Sequence, residues 1–340
     1  MLLLVLSAGA LLAHAGAVSV IDVQDLVSRA DEIVVGYVTD LHEVRQTTIT
    51  DNGRSVAATE MQAHVSVERV IKGHASEQIN VNFLITRREF IGYRGIPRAS
   101  RRVLFLKQNG SSMEPVSPYY PSLPASDPKD EPKNLSTTDE VVTTVAAVLY
   151  PPYGEVTIRE EALWLLGFMC SAICEDPFRT AASQDPDPKM RLNAVAYLLR
   201  RGDLSFFPIA ARVLQNPASS GITVPSRLDE VEQNLSSAIA AGVRNDPKAI
   251  PLLTDLLSSS DVRVRRAAVH ALGNSGSGNA ARSLLTGLRD ADDLVRYQAA
   301  VGLAQITGQS NWRPLREEFQ EDEAKYIQHW EEWASRTQTE

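Results

Sequence analysis

One stretch of sixteen residues, DVRVRRAAVHALGNSG at Asp261–Gly276, recurs along the second half of the chain and constrains its fold more than any other feature. Asp261 stands where a helix start needs an acceptor for its free backbone N–H groups. Val264, Ala268, Ala271 and Leu272 follow at helical spacing and form one apolar stripe. Two of the four are alanines, so a neighbouring helix can come close. Gly273, Asn274 and Gly276 are expected to end the helix, because they tolerate left-handed dihedrals. A second stripe follows at Ala281, Leu284, Leu285 and Leu288. The unit is helix, tight turn, helix.

The recurrence is in phase. DADDLVRYQAAVGLAQ sets Asp292, Val295, Arg296, Ala299 and Leu303 in the slots of Asp261, Val264, Arg265, Ala268 and Leu272, a period of 31 residues. Asp187, Met190, Arg191, Ala194 and Leu198 occupy the same slots 74 residues before the central copy. That gap suits two periods plus an insertion, and Asn216–Ser226 has the composition of one. Asp229–Val243 and Ala249–Leu257 read as a degenerate copy that has lost its Val-Arg slot. A fixed period of about 30–45 residues implies a solenoid, whose units bury their apolar faces only against one another. The pattern resembles the short HEAT-repeat family of bacterial proteins, the type also found in phycobilin (PBS) lyases, over about Glu155–Trp333. The resemblance implies an all-α stack and no particular chemistry.

Six slot residues define a structural ladder: Asp187, Arg191, Asp261, Arg265, Asp292 and Arg296. A planar guanidinium suits bidentate pairing with a carboxylate at the next repeat's turn. Arg265 is expected to reach such an acid, with Asp292 the nearest candidate, while Arg266 is expected to be solvated. Read functionally, the same arginines would form a basic track for an acidic partner.

The first half changes period. Ile33, Val34, Val35, Tyr37 and Val38 read as a strand that Gly36 interrupts, as at a bulge or barrel bend. Met61, Ala63, Val65 and Val67 alternate with polar residues, as do Ile79, Val81, Phe83 and Ile85. Val103–Leu106 is continuously apolar. Gln46–Ala57 is polar around an Asp51-Asn52-Gly53 turn signal. The chain is therefore expected to be α+β and multidomain, with a small N-terminal barrel or sandwich at residues 17–114 and a helical solenoid at 138–340. Residues 115–137, rich in proline, would form a linker or wrapping arm. A-D-E-I-V-V-G at Ala30–Gly36, V-E-R-V-I-K-G at Val67–Gly73 and V-L-F-L at Val103–Leu106 resemble the OB-like, netrin-like module of some secreted bacterial proteins. The related metalloprotease inhibitors need an N-terminal Cys, which this module lacks.

Residues 1–15, MLLLVLSAGALLAHA, read as a secretory signal with an Ala13-His14-Ala15 exit, although basic residues before the apolar run are missing. The expected location is secreted or periplasmic, with no transmembrane anchor in the mature chain. Net charge is −8, with the excess falling after residue 125. That charge argues against a nucleic-acid partner. Cys170 and Cys174 lie four apart on an expected helix, where burial as small apolar residues is the simpler reading and a disulfide would require helix distortion.

No nucleophile-plus-base, phosphate-loop or metal-ligand spacing occurs, and the six histidines are scattered. No enzyme activity, cofactor or metal is expected. The functional expectation is a non-enzymatic scaffold whose solenoid binds a protein or peptide. The alternative is an accessory or lyase-like protein that holds a chromophore or other small molecule. Two surfaces are candidates. Asp255, Arg282, Thr286 and Arg289, with Thr254 and Ser283, would face a partner from the second helices of the repeats. Arg87, Arg88, Arg94, Arg98, Arg101 and Arg102, interleaved with Phe90 and Tyr93, would form an anion-binding loop.

The leader makes a direct prediction. Intact-mass measurement on protein from its native host should show cleavage near Ala15, and a mature chain that retains Met1 would refute export by this segment.

Overall fold

A computed structural model of the chain describes residues 22–51, 54–86, 95–110, 112–126, 134–169, 172–242 and 247–337. The expected leader lies outside them. Two compact units divide the chain, Met1–Pro177 and Phe178–Glu340. The division falls after Pro177, not within the proline-rich stretch.

The first unit opens with a short helix, α1 (Val23–Arg29), capped by Asp22. Six strands follow: β1 (Glu32–Asp51), β2 (Arg54–Lys72), β3 (Gln78–Thr86), β4 (Ser100–Asn109), β5 (Ser112–Pro115) and β6 (Leu123–Pro124). Their order is β1-β2-β3-β5-β4-β6, and β1 also pairs with β4. All pairings are antiparallel except β3 with β5, which meet at Val81 and Met113. The polar stretch after Arg45 continues as strand, with Arg45–Asp51 in register against Glu60–Arg54. Its run of Thr47, Thr48, Ile49 and Thr50 is β-branched, which outweighs its polarity.

Gly36 sits at a register shift in β1. A Cβ there would lie 2.6 Å from Val65 Cγ1 and 2.9 Å from the Ser66 carbonyl oxygen, so only glycine lets β2 approach. Val34, Val38, Ala63, Val65, Val81, Phe83, Leu104 and Leu106 form one core cluster. Ile33, Val35, Val103 and Phe105, on the opposite face of the same strands, are also fully buried. Helices cover that second face: α1 packs on β4, α2 (Thr137–Ala146) on β2 and β4, and α3 (Val156–Met169) on α2 and β6. Burial on both faces explains why Val103–Leu106 does not alternate.

The same packing explains where the chain divides. Helices α2 and α3 have helical periodicity, but α2 packs on β2 and β4, and α3 packs on α2 and β6. Val116, Tyr120, Leu123 and Ala125 of the proline-rich stretch are buried too, so its first part wraps the sheet; residues 127–133 lie outside the described set. The acid excess moves with this boundary. Residues 126–177 hold ten acids against three basic residues, so the first unit carries most of the net charge and the repeats are near neutral.

Helix α4 (Glu175–Gln184) leads into the second unit. First helices α5 (Pro188–Arg200), α7 (Pro225–Gly242), α9 (Val262–Gly273) and α11 (Asp293–Thr307) stack in succession. Second helices are α6 (Phe207–Gln215), α8 (Ile250–Leu256) and α10 (Ala281–Gly287), and α12 (Arg316–Glu321) and α13 (Glu323–Thr337) follow α11. The degenerate copy is therefore a full repeat, and the insertion is a short 3₁₀ turn at Pro217–Ser220. Phe319, Tyr326 and Trp330 are buried on the terminal pair. Among the described residues no helix is long and apolar enough to cross a membrane.

Gly273 belongs to α9 rather than ending it; Asn274 is the cap, and Gly276 takes the left-handed turn with φ of 65°. The reason for glycine at 273 lies in the next repeat. A Cβ on Gly273 would stand 2.8 Å from the Gly302 Cα of α11, so the two backbones touch there.

Arg102 ties the first unit together. Its side chain is 2% exposed, and its guanidinium donates at 2.8 and 2.6 Å to the two carboxylate oxygens of Glu161 on α3. Nε donates to Ser122 Oγ at 3.0 Å. Arg102→Ala strands a carboxylate and should cost about 3–5 kcal/mol, the usual penalty for breaking a buried pair. Urea unfolding of the full chain measures it; a loss under about 1 kcal/mol would show the pair to be dispensable.

Candidate functional site

The ladder residues lie at the turns that begin the first helices. Asp187, Asp261 and Asp292 are N-caps of α5, α9 and α11, each accepting backbone N–H groups of its own first turn. The arginine four residues later turns back over that turn. Nη1 of Arg265 donates to the Ser259 and Ser260 carbonyls at 3.0 and 3.3 Å. Nη1 of Arg296 does the same to Asp290 and Ala291 at 2.8 and 3.0 Å. Nη1 of Arg191 does so to Asp185 and Pro186 at 2.7 and 3.2 Å. One edge of each guanidinium thus closes its own turn.

In Arg265 and Arg296 the other edge reaches beyond their own repeat, whereas Arg191 bonds only its own turn and the cross-repeat arginine on Asp187 is Arg227. Arg265 donates from Nε and Nη2 to the two carboxylate oxygens of Asp290 at 2.8 and 3.0 Å. Arg296 forks onto Glu323 of α13 in the same way. The partner of Arg265 is thus Asp290 and not Asp292. Asp292 is held by Arg266, at 2.9 Å to one oxygen and 2.6 Å to the other. Arg266 is therefore engaged rather than solvated, though its side chain is 38% exposed against 16% for Arg265. The reason is geometric: adjacent residues on α9 both overhang the turn into α11, and that turn carries acids at 290 and 292.

Electrostatics follow the contacts. Hydrogen bonds from Arg266 hold the Asp292 carboxyl at about 2 against the opposing effect of burial. Burial alone would raise the Asp290 carboxyl, but the Arg265 fork overrides it and the net direction is down. Asp261 is lowered by its hydrogen bond from Arg263. Arg263 also bridges to Glu232 on α7 at 2.9 Å, and Arg227 bridges α7 to Asp187 at 2.9 Å. Sequence reasoning missed these two bridges, since neither arginine occupies the repeated slot. Their signal was charge opposite charge at one period's separation.

The second-helix surface divides in two. Asp255, Arg282, Thr286 and Arg289 are exposed. Ser283 is buried, and its hydroxyl lies 2.6 Å from that of Thr254, so these two residues join α8 to α10 instead of facing outward. Arg289 pairs with Glu331 at 2.9 Å on the open surface. A small cleft of about 180 Å³ lies elsewhere, between α9 and α11, lined by His270, Asn274, Tyr297, Gln298 and Arg313 among others. It is smaller than pockets that engulf a chromophore, which run from roughly 300 Å³ upward.

Half of the candidate anion loop is described. Arg98 pairs with Asp40 at 3.1 Å, Arg101 with Glu68, and Arg102 is the buried tie described above. These three satisfy acids of their own unit. Arg87, Arg88 and Arg94 lie outside the described residues. Among the described residues, no cluster of His, Cys, Asp and Glu could hold a metal ion. Cys174 is disulfide-bonded, which departs from two buried thiols; Cys170, the one other cysteine, lies outside the described residues. α3 ends at Met169, before that pair.

Compared with known families, residues 228–304 match HEAT repeats. The matched span runs from α7 into α11, the part of the stack where the ladder is most regular. No curated protein matches the chain.

The ladder predicts both a mutational order and a pH dependence. Arg265→Ala should cost about 2–3 kcal/mol, since it strands a largely buried acid and two turn carbonyls. Arg266→Ala should cost about 0.5–1 kcal/mol, as expected of an exposed pair. Asp290 and Asp292 have folded values below their ordinary ones, so their contribution is complete above about pH 4 and fades as pH falls toward about 2. Chemical denaturation between pH 5 and 2 reads this directly (an order-of-magnitude window from ordinary carboxyl values), and Arg266→Ala should flatten the dependence. Equal losses for the two arginines would refute the difference in depth.

Proposed function

We propose that the chain is an exported, non-enzymatic interaction protein whose helical repeats hold a protein or peptide partner along their second helices. The observation that carries the reading is the contrast between the two helix rows. First helices spend their charged side chains on one another. The second helices keep Asp255, Arg282, Thr286 and Arg289 at the surface, on a stack whose spacing the ladder holds fixed. A rigid scaffold that presents exposed polar groups binds without ordering its own backbone, which lowers the entropy lost on association. HEAT repeats over 228–304 support the scaffold reading. The disulfide at Cys174 supports an oxidising compartment, in line with the expected leader.

We also propose that the first unit is an OB-like module of the netrin-like kind. The circuit β1-β2-β3-β5-β4, returned to β1 by the β1–β4 pairing, supports this. In this reading its role is to carry the repeats, since the described arginines of its candidate anion loop are matched to its own acids.

The test uses the full chain as bait in a cross-linking capture from envelope extract. It compares wild type with the triple reversal Asp255→Arg, Arg282→Glu, Arg289→Glu. The reading expects a specific partner that the reversal loses, while the melting temperature stays within about 2 °C, as for other exposed substitutions. Capture that survives the reversal would place recognition off the second helices.

A further inference from the structure

The charges along the second helices are arranged in a way the stack itself does not use. In the second unit nearly every described cation has a carboxylate, carbonyl or ring partner. Arg212, Arg282 and Arg313 are the ones whose side chains have none among the described residues. Two of the three lie on second helices, Arg212 on α6 and Arg282 on α10. Between them stands α8, which packs against α6 and is hydrogen-bonded to α10 through Thr254 and Ser283. Helix α8 carries Asp255, exposed and also without an ion pair.

In order across three neighbouring helices the charges run plus, minus, plus, with none of the three in an ion pair among the described residues; Arg212 and Asp255 are the sixth residues of α6 and α8, and Arg282, the second of α10, stands one turn nearer its helix start. This contrasts with the turns at the start of the first helices, where opposite charges on adjacent repeats find one another wherever they can reach. An exposed arginine that reaches no acid among the described residues keeps its five donors for a partner. Ile209, 39% exposed on α6, adds one apolar contact beside Arg212.

Resting on the scaffold reading above, we propose that the second helices recognise an extended segment with the complementary order acid, base, acid. The helix spacing sets its length. Packed helices lie about 8–10 Å apart, so α6 and α10 are separated by about 20 Å. A segment in the polyproline II conformation advances about 3.1 Å per residue with three residues per turn, so residues three apart share one face and span each helix step of roughly 9 Å. The matching pattern is Glu-x-x-Lys-x-x-Glu: the two carboxylates meet Arg212 and Arg282, and the ammonium group meets Asp255. Arg289, already paired with Glu331, stands at the end of the row and is not required.

The experiment measures fluorescence anisotropy of the full chain with two labelled peptides at low salt. One is Glu-Ser-Ser-Lys-Ser-Ser-Glu; the other swaps every charge, Lys-Ser-Ser-Glu-Ser-Ser-Lys. The expected result is at least tenfold tighter binding of the first, weakening as salt rises. The double reversal Arg212→Glu, Arg282→Glu should abolish or invert the preference, and Arg313→Glu, the open guanidinium off the row, should leave it unchanged. Equal binding of the two peptides, binding of neither, or an equal effect from Arg313→Glu overturns the proposal. If a captured partner depends on the second-helix reversal while the peptides show no preference, this inference fails and the scaffold reading stands.

Discussion

A pair of short helices cannot bury its own apolar stripe, and the second unit depends on that constraint. Each stripe disappears only when the next repeat arrives, so spacing between repeats is a condition of stability. Two contacts set it between α9 and α11. Gly273 and Gly302 let the backbones meet, which brings Val269, Ala299 and Leu284 into the same packed layer around Gly287 and Gly302. Arg265 then locks the turn, one guanidinium edge on carbonyls of its own repeat and the other on Asp290 of the next. Glycine fixes the approach and arginine fixes the register. Neither suffices alone, because close approach without register would leave the stripes free to slide.

The first unit meets the same constraint by a different route. Its strands β1 and β4 are buried on both faces, one toward the strand core and one toward α1 and α2. A strand buried on both sides needs a cover, and here the cover is helical sequence that would otherwise read as the first repeat. Arg102 joins that cover to the sheet. A buried ion pair gains little net stability over well-packed apolar residues, but breaking it costs much. It therefore acts mainly to define which helix sits on which strand.

What the sequence disclosed follows this division. The slots at Asp261, Val264, Arg265 and Ala268 fixed helices and phase, since period and capping are local properties. Register partners were less readable. Asp290 and Asp292 both lie in the turn that leads into α11, and only depth decides that Arg265 takes the first and Arg266 the second. Arg102 was unreadable for a related reason. It follows Arg101, which is half exposed, and strand alternation sends the two in opposite directions, but a basic run looks like one surface when read as a string. Helices α2 and α3 were legible as helices, while their packing target was not, because an apolar stripe does not say whether a strand or a helix will cover it. Gly273 shows the converse: a residue typical of helix ends served close packing.

The separation of charge follows from these same demands. Turns at the start of the first helices use acids as caps, and each cap holds an arginine: Asp187 and Asp292 take Arg227 and Arg266 from neighbouring repeats, and Asp261 takes Arg263 of its own helix. Lowered carboxyl values at Asp261, Asp290 and Asp292 record that these acids are held in their charged form by the fold. Charges satisfied so closely are poor recognition groups, since a partner would have to displace an intramolecular fork of equal strength. Second helices carry no side-chain cap of their own: α6, α8 and α10 start from 3₁₀ turns, and the acidic cap of the turn before α6, Asp203, pairs with Arg179. Arg212 and Arg282 have no ion-pair partner among the described residues, whereas Arg289 is matched by Glu331. The geometry that stabilises one edge of the stack thereby leaves Arg212, Asp255 and Arg282 on the other without ion pairs among the described residues.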